Sequence, residues 1–205
     1  VGAGPTDTVL DLCAGYGGKT LALAATMENQ GTLAAYDISK IQLRPIFDRI
    51  RRAGVTNIDV LRAGENAALK ELGPTFDSVL VDAPCTGTGT WRRRPDAKWR
   101  LKARNLAQRQ AEQKKVLELA ANIVKPGGNL VYVTCSVLPE ENVDQVTWFC
   151  ETHPEFSVVP YAKQWAACLP GQPPRSADKS TDTLLLTPAQ HETDGFFIAI
   201  LRRQL

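Results

Sequence analysis

Residues 8–20 read TVLDLCAGYGGKT, and this stretch decides the fold. An apolar run, TVLDLC (8–13), has the length and branched residues of a buried strand, and KTLALAATME (19–28) reads as a helix closed by Asn29 and Gly31. Between them lies a glycine turn. The same rhythm continues outward. GTLAAYD (31–37), NIDVLRA (57–63), FDSVLVD (76–82), NLVYVTCS (129–136), FSVVPY (156–161) and GFFIAILRR (195–203) are further expected strands. SKIQLRPIFDRIRRAG (39–54) is an expected helix, with Ser39 able to cap its start, Gly54 its end and Pro45 to break it. NLAQRQAEQKKVLELAANIV (105–124) is a long helix stopped by Lys125-Pro126-Gly127-Gly128, and EENVDQVTWFCETH (140–153) is another. Residues 162–193, rich in Pro, Ser, Thr and Gly, are expected to loop over the surface. Strands spaced by helices imply an α/β protein with a parallel sheet wound on both faces.

The 205 residues fit one domain, 1–205, with a composition (43% hydrophobic, 22% charged) ordinary for a globular protein. No stretch approaches the roughly 18 uninterrupted apolar residues of a membrane span. The opening VGAGPTDTVLDLC lacks a signal peptide and meets its first strand almost at once, so upstream sequence is expected to be missing. Cys13, Cys85, Cys135, Cys150 and Cys168 are scattered without a C-x-x-C pair, which argues against a disulfide framework or a zinc site. A reducing compartment, the cytoplasm, is therefore expected, with no metal.

The loop after the first strand is where a nucleotide-like ligand binds in such a sheet. A dinucleotide fingerprint would need a third glycine where Thr20 stands, and a phosphate-binding loop would need a glycine at Cys13. The acids favour a third ligand. Asp11, Asp37, Glu65 and Asp82 each follow or end one of four successive strands, which makes an acidic crevice. That crevice suits the positive sulfonium of S-adenosylmethionine and would repel a triphosphate. Asp37, about twenty residues beyond the glycines, can accept ribose hydroxyls.

Cys85, in VDAPCTGTG (81–89), and Cys135, in VTCS (133–136), lie just past the ends of two strands expected to be neighbours, so both thiols should stand over one pocket. Taken singly, a cysteine is more often a small buried hydrophobe, the reading kept for Cys13, Cys150 and Cys168. Two thiols beside a methyl donor point to a particular chemistry. The C5 of cytosine does not attack a sulfonium methyl unaided, but a thiolate added to C6 makes it do so, and the thiol must afterwards leave. Asp82 is placed to polarise the ring.

DLCAGYGGKT (11–20), AAYDIS (34–39), VDAPCTGTG, RRRPDAKW (92–99), VTCSVLPEEN (133–142) and DGFFIAIL (194–201) resemble the successive motifs of the Sun-type RNA cytosine-5 methyltransferases, the bacterial ribosomal RNA members most of all. The resemblance runs from about Val9 to Leu201. It implies a class I S-adenosylmethionine-dependent, Rossmann-like fold, with a mostly parallel seven-stranded sheet whose last strand is antiparallel. It implies Cys135 as the nucleophile and Cys85 as the partner that assists release. Cofactor contacts carry over to Cys13, Ala14, Gly15, Tyr16, Gly17, Gly18, Lys19, Asp37, Glu65 and Asp82. Tyr16 replaces the usual proline, and Glu65 the usual aspartate, so that Asn66 could share the latter's contact. The family commonly carries an RNA-binding module before this domain.

Net charge is only +2, yet Arg92 to Arg104 hold seven Lys or Arg against Asp96 alone, with Trp91 and Trp99 interleaved. Cations for phosphates and aromatics for bases make this basic loop, Trp91 to Arg104, an expected RNA-binding wall. A monomer is expected. The rivals are a DNA cytosine-5 methyltransferase with Cys85 attacking, a nucleoside triphosphatase, and a non-catalytic RNA-binding domain of the same fold.

Overall fold

Eight strands form one sheet in the computed structural model of the chain, which describes residues 1–64 and 66–205. They are β1 (Thr8–Asp11), β2 (Thr32–Ala35), β3 (Ile58–Val60), β4 (Phe76–Asp82), β5 (Val124–Thr134), β6 (Phe156–Val159), β7 (Leu184–Leu186) and β8 (Phe196–Arg203). The helices are α1 (Gly18–Thr26), α2 (Lys40–Leu43), α3 (Ile46–Ala53), α4 (Asn66–Glu71), α5 (Ala97–Arg100), α6 (Ala103–Ile123), α7 (Val143–Thr152), α8 (Tyr161–Cys168) and α9 (Pro188–His191). Strand order is β3-β2-β1-β4-β5-β8-β6, with β7 added on β8. Pairings among β1 to β5 are parallel, while β8 runs antiparallel to β5, β6 and β7. This is the Rossmann-like methyltransferase arrangement with an antiparallel last strand, as expected.

Alternation along the central strands explains why both faces are covered. Leu10, Val79, Val81 and Tyr132 pack with Leu117 and Ala120 of α6 on one face. Val9, Leu80, Val131 and Val133 pack with Leu23, Ala24 and Met27 at α1 on the other. A strand buried on both faces reads as a continuous apolar run, which is why these were legible.

Several expectations need correction. The stretch 162–193 is not a plain loop: most of α8, the edge strand β7 and α9 lie in it, so the sheet has eight strands rather than seven. Lys125-Pro126-Gly127-Gly128 does stop α6, but the chain passes straight into β5, because Val124 pairs with Phe76 across a register shift before regular pairing begins at Asn129. Pro45 breaks the second expected helix into α2 and α3, with Ser39 capping the first and Gly54 closing the second in the left-handed region at φ 65°. No described helix is long and apolar enough to cross a membrane.

The order reverses between β1 and β4, and their carboxyl ends open a crevice there.

Candidate active site

Strand β1 delivers the glycine turn to this crevice. Gly17 has φ 79°, and a Cβ there would lie 2.4 Å from Ile46, so the turn closes on α3 only because the residue is glycine. Around Gly15 and Gly18, by contrast, an added Cβ would meet no atom within 4 Å. The open side of the loop faces space. Asp37, after β2, fixes the loop by accepting Gly15 N–H (2.9 Å) on one oxygen and Ser39 N–H (2.7 Å) on the other. Beside them is a cavity of ≈ 530 Å3, lined by Cys13, Gly15, Asp37, Asn66 and Asp82 and walled opposite by Arg109, Val116 and Leu119 of α6.

The expected cofactor residues therefore divide. Cys13, Gly15, Asp37 and Asp82 line the cavity. Ala14 is buried in a small apolar cluster with Ile46, and Tyr16 is 60% exposed, its carbonyl accepting from Arg49 Nη1. Gly18 begins α1, and Lys19 turns to Asp82, Nζ to Oδ2 at 2.6 Å. Glu65 lies outside the described residues. Its alternative, Asn66, is in the cavity wall and accepts the Tyr36 hydroxyl. Asp11 does not face the crevice: it is 1% exposed and takes the Thr20 hydroxyl at 2.7 Å beneath the loop. Burial raises its carboxyl to about 6.

Strands β4 and β5 deliver the thiols. Asp82 pairs in register with Val133, so the chain beyond each strand leaves on the same side. Cys85 Sγ and Cys135 Sγ stand 3.4 Å apart, so the two cysteines do meet, although neither is among the residues lining the cavity above. Their titrations diverge. The hydrogen bond shared with Cys85 lowers the Cys135 thiol, with help from Lys19, against burial and Asp82. The same hydrogen bond raises Cys85 well above the ordinary thiol range, and burial and Glu141 add to it. The pair is thus polarised, with Cys135 the more acidic thiol and Cys85 the less acidic one. Cys13 is also pushed well up, by burial and the surrounding carboxylates, which makes it an inert member of the wall.

Contacts that the sequence did not reveal hold the two loops. Thr88 Oγ1 and Ser136 Oγ are 2.9 Å apart, and Thr88 accepts Val137 N–H. Thr134 donates to Asn142, which in turn donates to the Ser136 carbonyl. Gly89 N–H donates to the Cys135 carbonyl and Gly195 N–H to the Gly89 carbonyl. Fully buried Glu141 accepts from Thr86 N–H and from Gln113 of α6. Apart from the local links among Thr134, Ser136 and Asn142, these partners lie 28 residues or more apart in the chain, so no local pattern shows them. The only signal was that the quoted PEEN (139–142) follows VTCS without an obvious reason to be acidic.

The basic loop runs from this site into α6. Trp99 is 79% exposed and Trp91 half-buried. Arg93 pairs with Asp194 and Arg100 with Asp96, so part of the positive charge is committed within the protein. Among the described residues, no group of three or more His, Cys, Asp or Glu could hold a metal ion.

Comparison with known proteins gives concordant results. A family model described as 16S rRNA methyltransferase RsmB/F matches residues 3–202. The chain is 36% identical, over 94% of its length, to the ribosomal RNA small subunit methyltransferase B of Salmonella heidelberg, 41% of which it covers. It superposes on the crystal structure of PH0851 with TM-score 0.88 at 36% identity, covering 98% of this chain and 44% of that one. On NSun6 from Pyrococcus horikoshii, solved with SFG, an analogue of S-adenosylmethionine, the TM-score is 0.83 at 29% identity, covering 98% and 49%. The chain spans less than half the length of each of these relatives.

Proposed function

Given that the chain belongs to the 16S rRNA methyltransferase RsmB/F family, we propose that it transfers a methyl group from S-adenosylmethionine to C5 of a cytosine in RNA, through a covalent adduct with Cys135. S-adenosylmethionine is the family's cofactor and this chain's. The residues present fit it: the cavity has an apolar wall of Leu12, Val116 and Leu119 for a base, Asp37 for ribose hydroxyls and open space over Gly15 for the close approach of a ligand. When bound, it supplies an electrophilic methyl group on a sulfonium.

The chain's own residues supply the rest. The Cys135 thiolate forms a bond to C6, and the displaced ring electrons make C5 nucleophilic. Asp82, held by Lys19, accepts from the exocyclic amine of the cytosine and orients the ring. After methylation a base takes the C5 proton, the C5–C6 double bond re-forms and the S–C6 bond breaks. The departing sulfur leaves as a thiolate, and the Cys85 thiol stabilises it by donating a hydrogen bond. The observation that carries this reading is the 3.4 Å thiol pair in which Cys135 is lowered and Cys85 raised. A DNA-type order of attack, with Cys85 adding first, needs the opposite polarity.

The RNA is proposed to be small-subunit ribosomal RNA, presented single-stranded or flipped, since a stacked base hides C6 from a thiol. The basic loop would hold its backbone, with Trp99 offering a stacking face. The proposed compartment is the cytoplasm, where reduced thiols persist.

The test uses RNA containing 5-fluorocytidine, S-adenosylmethionine, and wild-type, Cys135→Ala and Cys85→Ala proteins. Fluorine cannot leave as the proton does, so an adduct is trapped as a denaturation-resistant band. The expected result is a band with wild type and Cys85→Ala and none with Cys135→Ala. Loss with Cys85→Ala alone would reverse the roles.

A further inference from the structure

Two thiols in contact are chemically symmetric, and something must decide which of them keeps the proton. Three groups around the pair differ in sign. Lys19 lowers Cys135, Asp82 opposes that effect, and Glu141 raises Cys85. Glu141 is wholly buried, yet the reaction described above does not use it. Its oxygens accept from Thr86 N–H (2.8 Å), from the Thr86 hydroxyl and from Gln113 Nε2 (3.1 Å). Both contacts to Oε1 come from N–H donors, so that oxygen acts as an acceptor. Thr86 is the residue directly after Cys85, and Gln113 also donates to the carbonyl of Pro84, directly before it. The carboxylate and the amide therefore grip the P-C-T segment on both sides of the thiol. Tyr132 completes the surround by donating to the Glu141 carbonyl, and its own hydroxyl is held protonated by burial and by Cys85 and Glu141.

We propose that Glu141 is a positioning residue that locks the Cys85 loop against the Cys135 strand and keeps the shared proton on Cys85, so that Cys135 is the nucleophile. The inference rests on the reading that this pair carries the reaction, and it adds the origin of the pair's polarity. A buried negative charge beside Cys85 disfavours a thiolate there far more than one in water would.

The experiment needs no RNA, so its failure is separable from failure of the cytosine reading, which the fluorocytidine trap tests. Alkylation of each cysteine by iodoacetamide is followed against pH, with peptide mass spectrometry separating Cys85 from Cys135. In wild type, Cys135 reacts first. On a Cys135→Ser background, which removes the partner thiol, Cys85 should react slowly at neutral pH with an apparent pKa above that of an ordinary cysteine. Adding Glu141→Gln, which keeps the length and most contacts but removes the charge, should speed Cys85 by about tenfold, the effect of roughly one unit of pKa. Glu141→Asp, which keeps the charge, should leave Cys85 slow. Unchanged Cys85 reactivity with Glu141→Gln, or faster reaction with Asp than with Gln, would overturn the proposal and reduce Glu141 to a packing role. Should Glu141→Gln fail to fold, Glu141→Met on the same background, which removes the charge at similar volume, takes its place with the same tenfold gain expected, and an ordinary or low Cys85 pKa in Cys135→Ser overturns the proposal in either case.

Discussion

Asp11 shows how a residue can be right in kind and wrong in place. As the acid that ends β1 it looked like part of the crevice, yet it lies beneath the glycine loop with one oxygen on Thr20 and the other, Oδ1, buried without a partner. Its carboxyl titrates at about 6 in the fold against 3.8 ordinarily. Between those values the folded protein holds a proton that the unfolded chain has lost, so this group makes stability fall as pH rises. Replacing it isolates the effect. The stability of Asp11→Asn relative to wild type, from urea unfolding, should rise by about 3 kcal/mol between pH of about 3.5 and 7. A flat difference would mean that Asp11 titrates in the fold as it does in the unfolded chain. Strand-end position told the sequence reader that an acid was there, but burial and the Thr20 contact depend on how α1 docks, which no spacing reveals. Glu141 was missed for the same reason.

At the scale of elements, the central strands were legible because burial on both faces leaves a continuous apolar signature. The edge was not. β7 has three residues and α9 four, and each depends on neighbours rather than on its own pattern. The cysteine pair was legible because β4 and β5 are adjacent and in register, so that two motifs 50 residues apart could be placed together. The loop that carries Cys85 is in turn pinned by a backbone contact. A Cβ at Gly89 would sit 2.4 Å from the Gly195 carbonyl oxygen, with backbone rather than a movable side chain as the obstacle. Gly89→Ala should therefore cost about 2 kcal/mol or more in urea unfolding and weaken the fluorocytidine band, because Gly89 N–H also holds the Cys135 carbonyl. Gly18→Ala, whose Cβ meets nothing, should stay within about 0.5 kcal/mol of wild type. Equal costs at the two positions would refute the argument from close approach.

For the molecule as a whole, the choice of ligand should appear in stability. A ligand that binds only the folded chain stabilises it by about 2.7 kcal/mol at a hundredfold excess over its Kd, which for a domain of this size raises Tm by roughly 5–10 °C. S-adenosylmethionine should produce that shift and magnesium-ATP none. The reverse would revive the triphosphate reading that the near-match at Gly18-Lys19-Thr20 first raised. The order of the strands also has a consequence in time. Among the described residues, β6 joins the sheet only through β8, and the loop carrying Cys85 is pinned by Gly195, immediately before β8. A chain emerging from the ribosome exposes β1 to β5 first and can wind them together, but β6 must wait beside an unfinished edge until residues 196–203 arrive. The thiol pair is thus assembled from early-made strands and locked by late-made ones, and a nascent chain holds its two cysteines before it holds the contact that keeps them in place.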